Sequence, residues 1–167
     1  MIADRRHADA ATVVAVAASI YCGFRLNEVS GTDLVLHHEP AAAALRWLQT
    51  VNAHRSIAVM VMVSLTGLTS ILLLVTSIQS RHSISRVGLV AGCCGVALVA
   101  LEDYLTFAVH VPIAGQIEGM RASELDRFIA IRDDYITHDV ERSLVLALAV
   151  VCFVLAARWR RNSREST

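Results

Sequence analysis

The chain has 167 residues, 55% hydrophobic and only 18% charged, where a typical soluble domain carries about 25% charged residues. Its mean hydropathy is +0.54, its formal net charge is zero, and all fifteen cations are Arg. This balance offers no basic field for nucleic acid, and the apolar runs are too long for the core of a water-soluble domain.

A helix needs roughly 20 mostly apolar residues to cross a hydrocarbon layer of about 30 Å. The first such run is residues 8–29. Arg25, Asn27 and Glu28 close it where a signal peptide would show a small-residue cleavage site, so it is read as retained. His37 and His38 then fall in a cap or loop. Pro40 opens the first turn of a helix that continues through the charge-free second span, residues 57–78. The third span, residues 87–111, is interrupted by Glu102 and Asp103. Ser123 is predicted as the N-cap of a last helix with Glu124 and Asp126 in its first turn. Phe128, Ile131, Tyr135 and His138 recur on one face of it. That helix becomes the fourth span, residues 139–158, and leaves 159–167 as a tail. The expected fold is all-α: a single four-span membrane domain, a four-helix transmembrane bundle in which helices 2 and 4 extend beyond the outer membrane surface.

Orientation follows from Arg. Arg5 and Arg6, then Arg81 and Arg86, then Arg158, Arg160, Arg161 and Arg164 mark three segments that share one side of the bilayer, predicted to be cytoplasmic. The acidic links between spans one and two and between spans three and four face outward. The protein is thus expected in the cell membrane with both termini inside. Cys22, Cys93, Cys94 and Cys152 each lie in an apolar run without CxxC spacing, which argues against a membrane thiol oxidase.

Ionisable side chains are costly inside a membrane span and usually mark a functional site. Here they collect at one depth, near the outer edge. On span three, Asp103, Thr106 and His110 share a face at i, i+3 and i+7, continued downward by Gly92, Val96 and Val99, while Glu102 points about 100° away. On span four, His138, Glu141 and Arg142 are neighbours at i, i+3 and i+4. On span two, Trp47, Val51, His54 and Ala58 line up. One imidazole from each of three helices is therefore expected to converge.

Two chemistries suit this set. His54, His110 and His138 with Glu102 form a candidate site for a transition metal. Alternatively no cofactor is needed, and a His beside a carboxylate moves a proton on a lipophilic substrate. Glu28, Asn52, Thr106 and Tyr135 are the candidates for holding that substrate. Two His at one depth would also serve as axial ligands of a haem in an electron-transfer module. A non-catalytic accessory subunit, in which the charges only stitch helices together, is the further alternative. The partners implied are the lipid bilayer and a small lipophilic molecule, with self-association left open. No phosphate loop, Ser-His-Asp arrangement or dinucleotide fingerprint is present.

Span three ends in His110-Val111-Pro112-Ile113-Ala114, a charged amphipathic stretch follows, and span four opens with Tyr135, His138 and Arg142. In this layout the chain resembles the anthrone-oxygenase-like family of small four-helix membrane proteins, with Ala114 where the family has Asn, Tyr135 where it has Trp, and a wider His138 to Arg142 spacing. The resemblance implies an oxidoreductase that oxidises an activated aromatic carbon with molecular oxygen. It also implies His138 as base, with Arg142 stabilising the enolate; Asp103, from its place among the polar groups, is the third catalytic candidate.

Overall fold

The computed structural model describes residues 2–79 and 84–158, with the side chains of 2–5 and 53–56 outside the description. It is all-helical, with no strand among the described residues. Helix α1 is Ile2–His38, α2 is Ala41–Gln79, and α3 is Arg86–Tyr104. A π-helical segment, Leu105–His110, joins α3 to α4, Val111–Glu118; α5 is Leu125–Arg158. Four stretches are long and apolar enough to cross a membrane: Arg6–His38, Ile57–Gln79, Arg86–Glu118 and Leu125–Arg158. The chain is a multi-pass membrane protein built as a four-helix bundle.

Three local features differ from expectation. Span one does not close near residue 29. α1 runs to His38, so His37 and His38 occupy its last turn, and only the residue before Pro40, which that ring bars from helical geometry, breaks it. Span three does not stop at Val111. Pro112 lacks an N–H and its ring would clash with a carbonyl one turn back, and the helix answers by widening upstream. The N–H of Val111 then reaches Thr106 O, five residues back. The cap of α5 is Glu124, not Ser123: Phe128 N donates to Glu124 O at 3.0 Å, and Arg121 N donates to Glu124 Oε2 at 2.9 Å. Consequently all four spans, not only two, reach past the membrane-length segment. At about 1.5 Å per residue, α1 alone is roughly 55 Å long.

The interior has two apolar cores. One lies toward the end bearing Arg6, Arg86 and Arg158, called the basic end. It joins Ala11, Val14 and Ala18 of α1, Val63 and Leu73 of α2, Val99 of α3, and Leu146, Ala149, Phe153 and Ala156 of α5. The small residues let helix backbones approach closely, which is how helices adhere where lipid is as apolar as the core. At Gly95 the fit is strict: a methyl group built there would lie 2.5 Å from Phe153 Cε1. The second core, at the opposite or acidic end, joins Leu36, Ala44, Leu45, Leu48, Ile117, Met120, Phe128 and Tyr135. Gln49 secures it by donating through Nε2 to Ile117 O and Met120 O, both at 3.0 Å. Large apolar side chains such as Val16, Leu68, Val90 and Leu148 point outward, as a surface that meets lipid requires.

Candidate functional site

Between the two cores the bundle turns charged. Inward stripes at spacings of three and four carry Tyr21, Arg25, Glu28 and Thr32 on α1, and Tyr135, Asp139, Arg142 and Leu146 on α5. From α3 into the π segment the stripe is Gly88, Gly92, Gly95, Val99, Glu102, Thr106 and His110. Roughly 28 Å of α1 separates Arg25 from Arg6, and roughly 24 Å of α5 separates Arg142 from Arg158. The charges therefore sit near the acidic-end border of a hydrocarbon layer about 30 Å thick.

The groups form one continuous network. Arg25 Nη1 donates to Glu28 Oε2 at 2.7 Å, and Arg25 Nη2 donates to Asp139 Oδ1. Arg142 Nη1 reaches the same Asp139 oxygen at 3.3 Å. Glu102 Oε1 accepts from Tyr21 at 3.0 Å, Thr106 at 2.9 Å, and Arg142 Nε and Nη2 at 3.3 and 3.2 Å. Each of these ion-pair side chains is at most 4% exposed. Charges this deeply buried are tolerated only when paired and hydrogen-bonded.

A cavity of about 390 Å³ opens beside the network, within the usual range for a small-molecule site. Arg25, Glu28, Asn52, Thr106, His110, Tyr135 and Arg142 form its polar side. Val59, Met60, Phe107, Val111, Ala114 and Gly115 form the other side, the exposed Glu118 also lines it, and Met60, Phe107 and Val111 are about half exposed, so the mouth opens on the outer surface of the bundle. His110 lies on the wall with Nδ1 3.4 Å from Asp139 Oδ1, a close contact without hydrogen-bond alignment. Its ring packs on Tyr135, centroids 4.6 Å apart, and Tyr135 donates to Asn52 Oδ1 at 3.2 Å. With Nδ1 turned toward Asp139, the Nε2 edge is the one left for the cavity.

Of the residues singled out from sequence, Glu28, Asn52, Thr106, His110, Tyr135 and Arg142 are brought together on this wall, and Glu102 stands behind it holding Arg142. Asp103 and His138 are not part of it. Asp103 is half-exposed beside the inward stripe. An uninterrupted α-helix would align Asp103 with His110, but the extra residue of the π segment rotates the lower helix by about 100° and puts Glu102 there instead. His138 Nδ1 faces Glu141 Oε2 at 3.0 Å on a partly exposed edge, where the inward positions belong to Tyr135, Asp139 and Arg142. Among the described residues the expected metal set does not assemble either. The side chain of His54 lies outside the described residues, His110 and His138 turn to different carboxylates, and Glu102 Oε1 is taken by four donors. Among the described residues no group of three or more His, Cys, Asp or Glu is placed to hold a metal ion.

Arg25, Asp139 and Tyr21 were not singled out as site residues. The signal for Asp139 was available: lipid-facing Leu144, Leu148, Val151 and Leu155 define the far side of α5, and the opposite stripe through Phe153, Ala149 and Leu146 leads up to Arg142 and Asp139. No family model matches the chain, and neither a curated protein nor a solved structure does.

Proposed function

We propose that this protein is a membrane-embedded oxidoreductase that takes a lipophilic aromatic or quinone-like molecule from the lipid and activates it by proton transfer. The observation that carries the reading is the His110–Asp139 pair on the wall of a cavity that opens past the half-exposed apolar side chains of Met60, Phe107 and Val111. His110 is the base in this scheme. Packing on Tyr135 holds the ring, and the nearby Asp139 carboxylate steadies the imidazolium that forms. The substrate C–H proton goes to His110, and the electron pair stays on the substrate as an enolate. Arg25 and Arg142, which border the same cavity, stabilise that charge in a medium with little water to screen it. Molecular oxygen then adds to the carbanion carbon, the peroxide takes back the proton from His110, and the hydroperoxide loses water to leave the new carbonyl of the quinone. The Arg-rich side is the cytoplasmic one in this proposal, with both termini inside and the cavity opening at the outer leaflet of the cell membrane.

The test is turnover of an anthrone-like substrate in proteoliposomes, followed by oxygen uptake and the quinone spectrum. Replacement His110→Ala should lower turnover by about 10²-fold or more, while His138→Ala and Asp103→Asn leave it within about twofold. Undiminished turnover in a folded His110→Ala variant sinks the assignment. A second reading, a non-catalytic membrane subunit, is favoured by how fully the arginines are engaged by carboxylates of the chain itself. It anticipates no turnover and co-purification with a larger complex.

A further inference from the structure

A groove of about 480 Å³ runs along the lipid-facing seam of α1 and α5 at the basic end, lined by Thr12, Val16 and Ser19 on one side and Val154, Ala157 and Arg158 on the other. It lies away from the charged cavity and shares no residue with it. We propose that it holds one acyl chain of an anionic phospholipid from the leaflet at the basic end, with the headgroup phosphate on Arg158.

Its walls contain two hydroxyls, but both turn back into their own helix. Thr12 Oγ1 donates to Ala8 O at 2.8 Å and Ser19 Oγ donates to Ala15 O at 2.7 Å, which leaves methyl and methylene surface toward the groove. From Thr12 to Ser19 the groove covers about 10 Å of helix axis, running from the helix end into the apolar band. Arg158 stands at the open end in the last turn of α5, exposed. Among the described residues it makes no ion pair, not even with Asp9 on the neighbouring helix, so its charge is not cancelled within them. An apolar slot that ends at a guanidinium with no ion pair among the described residues matches a lipid with a chain and a negative headgroup. Such basic pockets between helices recruit anionic lipids by charge as well as by shape.

The experiment uses Trp159, the residue after Arg158, as its reporter. The full chain carrying Trp47→Phe is placed in phosphatidylcholine vesicles with a minor fraction of brominated phosphatidylglycerol, and separately with the same fraction of brominated phosphatidylcholine. The expected result is stronger quenching by the anionic lipid, corresponding to roughly fivefold local enrichment. Arg158→Gln should abolish the enrichment, and so should Ser19→Phe, which fills the slot without touching charge and whose fold is checked by circular dichroism. Joint replacement of Arg160, Arg161 and Arg164 by Gln should leave most of it. Equal quenching by both lipids overturns the proposal, as does an enrichment that survives Arg158→Gln and Ser19→Phe but vanishes with the three tail arginines. Cross-linking between copies through residues 16 and 154 overturns it as well, by giving the groove to a second copy.

Discussion

Around Ala11, Ala18, Gly92, Gly95, Ala149 and Ala156 the helices meet mostly through small side chains, with the buried His7 ring lying against Gly92 and hydrogen-bonded to Ser77, whereas toward the acidic end the same helices meet through Arg25, Glu28, Glu102, Asp139 and Arg142. In lipid the first arrangement gains no hydrophobic preference for the inside, because Ala is as well solvated facing the bilayer. Only shape selects it. The second arrangement has a strong preference, since a guanidinium turned toward hydrocarbon loses its carboxylates and its solvation together. The small-residue core therefore supplies adhesion, and the charged band decides which face of each helix turns inward. This division also explains how ionisable groups are tolerated at such depth: they are part of what aligns the bundle.

The largest effect is expected at the charged band. Arg142→Leu leaves Glu102 and Asp139 without a shared cation and should cost about 3–5 kcal/mol, read as thermal unfolding in mild detergent. Arg142→Lys should recover only part of it, because Lys cannot reproduce the fork that spans both carboxylates. A loss no greater than that of a core variant would break the comparison. For the core, Gly95→Ala drives a methyl into Phe153 and should cost about 1–3 kcal/mol, relieved when Phe153→Leu is added. Failure of that relief would mean that shape is not what holds this region. At the acidic end, Gln49→Ala removes the amide that ties α2 to the turn after α4. It should cost about 0.5–1.5 kcal/mol and raise the rate of proteolysis within residues 119–124.

The smallest effect concerns Glu124, which is partly exposed. The backbone N–H of Arg121 holds its carboxyl below the ordinary glutamate range, helped by the Arg127 guanidinium. A depressed folded value means that the stabilisation is present above the unfolded value and lost as pH falls through the folded one. Wild type should melt slightly above Glu124→Gln near neutral pH, and the two should converge on acidification.

The four spans were legible because a membrane helix must be apolar over its whole length, and no alternative structure satisfies the backbone in lipid. The depth of the charged band was legible for the same reason, since polar residues stand out against that background. What escaped was azimuth. His138 and Asp139 are neighbours in sequence, and choosing between them depends on following the stripe from Phe153 rather than from the nearest His. Glu102 and Asp103 pose the same choice, and there an ideal helix gives the wrong answer. Pro112 was the available clue that the turn before it would widen. The inward rotation of Arg25 is set by Asp139, a contact between residues 114 positions apart that no local pattern contains.

The lip formed by Met60, Phe107 and Val111 has a consequence for dosage. A molecule that arrives through the bilayer is counted by the site against lipid, not against buffer. At fixed total ligand, adding empty vesicles should empty the cavity by dilution even though nothing competes for it. Saturation curves taken at different lipid amounts should then superimpose only when drawn against moles of ligand per mole of phospholipid.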